Sequence, residues 1–303
     1  MTTALPTTES AQPPGTPPRP PARALSPSRA ADFMQCPLLY RFRVVDRLPQ
    51  VPSPAAVRGT VVHAVLERLF DLPAGARTLA AARELVAPQW DRARAETPEL
   101  AALFDGDPQA VAGWLAGADE LLGRWFELED PTRIEPADRE LYVETTMEDG
   151  LVLRGYVDRL DVAPDGRMRV VDYKTGRAPR EAYEAKALFQ MKFYALVLWR
   201  LRGVVPALLQ LVYLGSGEIL RYSPDEADLL ATERKVRALW VAIERAASTG
   251  DWRASPGRLC DWCDHRALCP AWGGTPPPVP DDAAALVTAA AASALRTPGL
   301  DEE

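Results

Sequence analysis

Two rhythms of apolar positions run along the chain. In "AVRGTVVHAVLERLF" (residues 56–70), Val62, Leu66 and Leu69 recur at helical spacing, with His63 in the same helix and Glu67 one turn beyond it. Residues 78–128 predict two more amphipathic helices, parted by the Pro and Gly signals of "ETPELAALFDGDP". The period then changes from helical to alternating. "RELYVETTMEDG" leads through an Asp149-Gly150 turn into "LVLRGYVDRLDVA", and a "PDG" turn leads into "RMRVVDYKTG", so three strands are expected in a meander. A helix from about Ala182 to Arg202, two short strands in "ALLQLVYLGSGEILRYS" and a helix from about Asp225 to Ala247 complete the pattern. Near the start, "LSPSRAADFMQCPLLYRF" predicts a helix capped at Ser26 or Ser28, with Pro27 in its first turn and a break at Pro37.

The order of helices, meander, helix, strands and helix predicts an α/β core with an N-terminal helical elaboration. The expected domain spans residues 25–273. It lies between a disordered Pro-rich tail (1–24) and a Pro/Ala-rich acidic tail (274–303). With no export signal read at the start and no apolar run of membrane length, a cytoplasmic location and no membrane partner are expected. The net charge of −7 argues against a general polyanion binder, yet residues 151–192 hold nine Lys or Arg against six Asp or Glu.

Chemistry concentrates in that basic stretch. Alternation puts Asp172 and Lys174 on one face of a strand and Tyr173 on the other, at the end of an apolar run. Asp158 comes from the neighbouring strand. Two converging carboxylates repel unless a cation lies between them, and hard oxygen donors suit Mg²⁺ or Mn²⁺. An ordinary solvated Asp–Lys pair is the alternative. The four cysteines, Cys36, Cys260, Cys263 and Cys269, admit two readings. Cys260, Cys263, His265 and Cys269 suffice for a zinc site, leaving Cys36 a spare thiol. Four thiolates would instead hold an iron–sulfur cluster and clasp the two ends of the domain. Trp252, Trp262 and Trp272 flank the cluster of cysteines, placed to pack over it or to stack on bases.

Together, "GYVDRLD" and "VVDYKTG" resemble the catalytic hairpin of the RecB-like exonucleases of the PD-(D/E)xK nuclease superfamily, iron–sulfur-containing type. "RGTVVHAVLERL" resembles their upstream metal-site helix, "FQMKFYAL" a downstream helix with Gln and Tyr four apart, and "LSPSRAADFMQCPLLYRF" their Cys-Pro segment. The resemblance covers residues 25–270. It implies a restriction-endonuclease-like core, a central mixed β-sheet flanked by helices, with a C-terminal Cys-rich clasp. It further implies His63, Asp158, Asp172 and the Tyr173 carbonyl as metal ligands, and Lys174 as the catalytic lysine helped by Gln190 and Tyr194. Glu144 would be an extra acidic contributor, and Cys36, Cys260, Cys263 and Cys269 would bind a [4Fe–4S] cluster.

The activity so implied is Mg²⁺- or Mn²⁺-dependent exonuclease action on single-stranded DNA ends in recombination or repair. A helicase partner is expected, since the chain has no phosphate loop of its own. A non-catalytic DNA-end-binding module and a CRISPR-adaptation nuclease are the other functions compatible with these motifs. Arg154, Arg159, Arg177 and Lys192 are candidates for tracking phosphates.

Overall fold

The computed structural model describes residues 23–179, 184–285 and 287. A two-residue strand, β1 (Ala24–Leu25), precedes α1 (Pro27–Gln35), whose N-terminus is capped by Ser26 Oγ accepting from Arg29 N at 3.4 Å. Pro37 ends this helix but starts another, α2 (Pro37–Tyr40), which runs into a π-helical turn (Arg41–Val45). Three helices follow: α3 (Pro54–Leu69), α4 (Leu79–Glu96) and α5 (Pro108–Leu128). Then come β2 (Asp138–Thr146), β3 (Val152–Val162), β4 (Met168–Lys174), α6 (Glu184–Arg202), β5 (Leu208–Tyr213), β6 (Glu218–Tyr222) and α7 (Glu226–Thr249). The expected start of α6 at Ala182 lies outside the described residues.

The meander β2–β3–β4 is antiparallel, β5 joins β4 in parallel through the α6 crossover, and β6 is antiparallel to β5. A mixed sheet flanked by helices results, the α/β architecture expected from the sequence. Strand β1 adds a feature without periodicity in the sequence: Ala24 and Leu25 pair in parallel with Val152 and Leu153 of β3. Because β2 occupies one edge of β3 from Val152 to Leu160, β1 and β4 must share the other. Strand β4 takes only Arg159–Val162 there. Residues 154–158 therefore face a gap between β1 and β4 on that edge, and the site opens into it.

Each face of the sheet buries its own core. Leu153, Val170, Leu209 and Leu211 pack under α1, α6 and α7, whereas Val171, Tyr173, Val212 and Leu214 pack under α3, α4 and α5. The core extends past residue 273, since Ala283 and Val287 are fully buried.

Under Tyr173, Arg159 is 1% exposed at its side chain and grips Glu129 with two hydrogen bonds, 2.8 and 2.9 Å. It also donates to the Tyr173 hydroxyl and ion-pairs with Asp161 at 3.1 Å. Burial alone would raise the Glu129 pKa, but these bonds outweigh it and hold the carboxyl below its ordinary value. Arg159 is thus a structural ion rather than a phosphate contact. Arg159→Met strands the buried Glu129 carboxylate and is expected to cost about 3–5 kcal/mol in thermal unfolding. Arg167→Met, at an exposed pair, is expected to leave the melting temperature nearly unchanged.

Candidate active site

The last pair of the β3–β4 ladder is Arg159 with Val171. Beyond it the strands part, and the Asp158 side chain replaces the backbone ladder: its Oδ2 accepts from Tyr173 N at 2.7 Å. On one side of this fork, His63 of α3 brings Nδ1 to 3.4 Å from Asp158 Oδ2 and stands edge-on to the Tyr173 ring. Its ring also hydrogen-bonds to the Tyr173 backbone, which places that carbonyl at the site. Gly59, one turn before His63, eases the approach of α3 to the bend after β4, since a Cβ there would crowd Thr175 Oγ1 at 3.3 Å.

On the other side, Gln190 of α6 joins the remaining groups. Its Nε2 donates to Asp172 Oδ1 at 2.8 Å and to the Tyr194 hydroxyl at 3.2 Å, and its Oε1 accepts from Lys174 Nζ at 2.9 Å. Lys174 Nζ lies 2.6 Å from Asp172 Oδ2 in an ion pair not aligned as a hydrogen bond, so this fully buried oxygen has no directed donor. Asp172 and Lys174 do share a strand face, as alternation requires. Tyr194 fits because β3 has glycine opposite: a Cβ on Gly155 would sit 2.7 Å from its ring.

The sequence reading missed one acid. Glu140 of β2 takes φ 45°, a left-handed conformation, and drops out of the β2–β3 register between Arg139 and Leu141. A non-glycine residue held there is strained, a feature that gathers at functional sites. His63, Glu140 and Asp158 bring one donor atom each within 4.8 Å of one another, and no other such group of three exists among the described residues. Glu144 is not part of it: its carboxylate accepts from the Tyr142 hydroxyl at 2.5 Å.

The electrostatics fit a cation. Burial, then the charge of Asp172, pushes the Asp158 carboxyl well above its ordinary pKa. Burial, then Glu67 and Asp172, pushes Glu140 up to about 7. Burial lowers the His63 pKa, leaving a neutral imidazole with a lone pair to offer. Crowded carboxylates and an oxygen without a donor suit a hard divalent cation such as Mg²⁺ or Mn²⁺, and the neutral imidazole adds a nitrogen donor that Mg²⁺ takes less readily than transition ions do.

A family model described as the PD-(D/E)XK nuclease superfamily matches residues 24–270. The chain belongs to the PD-(D/E)XK nuclease superfamily. Its relatives include Gene 69 protein of Mycobacterium phage D29, 28% identical over 203 residues, or 59% of this chain and 70% of that protein. A crystal structure from Eubacterium rectale, named as a candidate exonuclease, aligns with a TM-score of 0.53 at 14% identity, covering 80% of this chain and 88% of that one; it shares the fold.

Elsewhere in this nuclease-superfamily chain, Lys192 is committed to Asp228 (2.9 Å) and Tyr222 (3.0 Å), away from any substrate role. Arg177 is exposed in the turn after β4. The two ends of the domain meet as a clasp: Leu38 N donates to Arg253 O at 3.2 Å, Arg41 to the Pro277 carbonyl, and Tyr40 stacks on Trp252 at 6.1 Å. Cys36, Cys260, Cys263 and Cys269 line one cavity of about 280 Å³. Cys36 Sγ accepts from Ser255 N and Cys260 Sγ from Gly257 N, at 3.4 and 3.3 Å. Trp272 borders the cavity, whereas Trp262 is 76% exposed. No helix among the described residues is long and apolar enough to cross a membrane.

Proposed function

We propose that the chain is a metal-dependent DNA nuclease of the RecB-like type, acting as an exonuclease on single-stranded ends in recombination or repair, with a helicase partner. The observation that carries this reading is the meeting of His63, Glu140 and Asp158 with the Asp172–Gln190–Lys174 group where β3 and β4 part. His63, Glu140, Asp158, Asp172 and the Tyr173 carbonyl are the residues to hold Mg²⁺ or Mn²⁺. Such an ion, when bound, polarises the scissile phosphate and acidifies a water. Lys174 then orients that water and offsets charge developing on the phosphate. Gln190 holds Lys174 and Asp172 in register, and Tyr194 holds Gln190.

The cysteine cavity is read as the seat of a [4Fe–4S] cluster. A zinc tetrahedron with Zn–S near 2.3 Å would draw its sulfurs to about 3.8 Å apart. Among the described residues no three of these sulfurs, with or without His265, meet within 4.8 Å. Their spread around a cavity supports the larger group, as do N–H donors aimed at two of the sulfurs. It would staple the α1–α2 junction to the C-terminal turns.

End-labelled linear and covalently closed circular single strands, offered with Mg²⁺ or Mn²⁺, test the activity. Exonuclease action degrades the linear strand and spares the circle. Cutting of the circle would make the protein an endonuclease, and cutting of neither would favour a binding module.

A further inference from the structure

The gap between β1 and β4 holds a cavity of about 440 Å³, within the rough 300–1,000 Å³ range of ligand pockets. Its walls come from the start of α1 (Ser26, Ser28, Arg29), from β2 and β3 (Tyr142, Arg154, Tyr156) and from the Lys174–Gln190 pair. It therefore continues directly from the candidate active site.

Arg154 is the unusual wall. It is 5% exposed, yet its Nη1 and Nη2 make no hydrogen bond, and no ion pair involves it among the described residues. Glu144 stands opposite it in the ladder, the natural partner for an ion pair, but bonds to the Tyr142 hydroxyl instead. The Tyr142 hydroxyl is the neutral group within hydrogen-bonding reach of Arg154, and its own proton goes to Glu144. A guanidinium hidden from water and held in no ion pair is costly, and an arriving anion would offset that cost. A second cation, Arg29, lines the same cavity, and burial followed by the nearby Arg154 charge lowers its pKa. Tyr142 and Tyr156 add a pair of half-exposed rings 5.2 Å apart at the mouth.

We infer that this cavity is an anion subsite for a phosphate of the nucleic-acid strand, with Arg154 as its recognition residue and the Tyr142–Tyr156 pair as a platform for the adjoining base. The inference rests on the nuclease reading for its choice of ligand, and it adds a fixed point that sets the strand one or a few nucleotides from Lys174. Arg154 is a binding residue here, remote from the bond that breaks.

The test measures binding, not cleavage. Affinity for fluorescein-labelled oligothymidylate is read by anisotropy, with Ca²⁺ in place of Mg²⁺, for the wild type, Arg154→Leu and Arg154→Lys. Arg154→Leu is expected to weaken binding about tenfold or more and to reduce the slope of log K against log salt by about 0.7, the value for one single-strand phosphate contact. Arg154→Lys is expected to recover part of the affinity and most of the slope. The melting temperature of Arg154→Leu should equal or exceed that of the wild type, because the buried guanidinium it removes makes no ion pair among the described residues. Oligonucleotides with and without a 5′-phosphate separate the sources: a loss confined to the phosphorylated strand marks a terminal phosphate, and an equal loss on both marks an internal diester. Unchanged affinity and slope in Arg154→Leu would overturn the subsite. So would a fall in melting temperature or a failure to fold, either of which would make Arg154 structural. Since no strand is cut in this assay, a protein without nuclease activity would still pass or fail it.

Discussion

Glu140→Gln is expected to raise the metal requirement for cleavage by roughly 100-fold or more, a loss on the scale that follows damage to a metal site. The same substitution should stabilise the metal-free protein above neutral pH. Folding raises the Glu140 pKa from an ordinary 4.5 to about 7. Between those values the native carboxyl keeps a proton that the unfolded one has released. Its stabilising share is thus full below pH 4.5 and is lost as pH climbs through 7. Above that, the wild type carries a buried anion beside Glu67 and Asp172, and the glutamine variant does not. After discounting for its partial exposure, about 1–2 kcal/mol should separate the two at pH 8, shrinking toward pH 5. Thermal melts across this range with chelator, and metal titrations of cleavage at fixed pH, check the two halves. Equal metal requirements would remove Glu140 from the site. By the same linkage, metal binding to the wild type must displace protons, so apparent affinity should rise from pH 6 to pH 8.

Cys36→Ser is expected to act at a distance from the chemistry. Cys36 sits between α1 and α2, whereas the other three cysteines of its cavity lie more than 220 residues later, so a group bound by all four would tie together nearly the whole domain. Ligand binding free energy at such a site is folding free energy. Losing it should lower the melting temperature by about 10 °C or more and abolish the visible absorbance of an anaerobically purified sample. If Cys36→Ser kept both the absorbance and the melting temperature, the remaining Cys260, Cys263 and Cys269 would suffice, and the split cluster would be wrong. Zinc in stoichiometric amount with no visible absorbance would overturn the iron–sulfur assignment itself.

The hairpin with Asp158, Asp172 and Lys174 was legible because a strand's two-residue period is rigid. Once "VVDYK" is a strand, Asp172 and Lys174 must face together and Tyr173 away. The Gln190–Tyr194 spacing was legible for the same reason at helical period. Glu140 was hidden because its role depends on a left-handed φ that breaks the alternation, and "RELYVET" shows no glycine to announce it. The charged candidates divided on contacts that no local pattern encodes. Arg159 is claimed by Glu129, thirty residues earlier, and Lys192 by Asp228, thirty-six later, while Arg154 has no ion pair among the described residues. The strand β1 is two residues long, too short to carry any period. Its consequence, the gap along β3, is what joins the predicted catalytic residues to a cavity.

The central claim is that the fork between β3 and β4 is a metal-dependent nuclease centre. Its most direct test is cleavage of end-labelled single-stranded DNA by the wild type and Lys174→Ala, side by side, with Mg²⁺ or Mn²⁺ and again with chelator. Metal-dependent cutting that falls by about a thousandfold in Lys174→Ala, in protein shown by its circular dichroism to be folded, is the predicted result. Equal cutting by the two proteins, or cutting that survives the chelator, would contradict it.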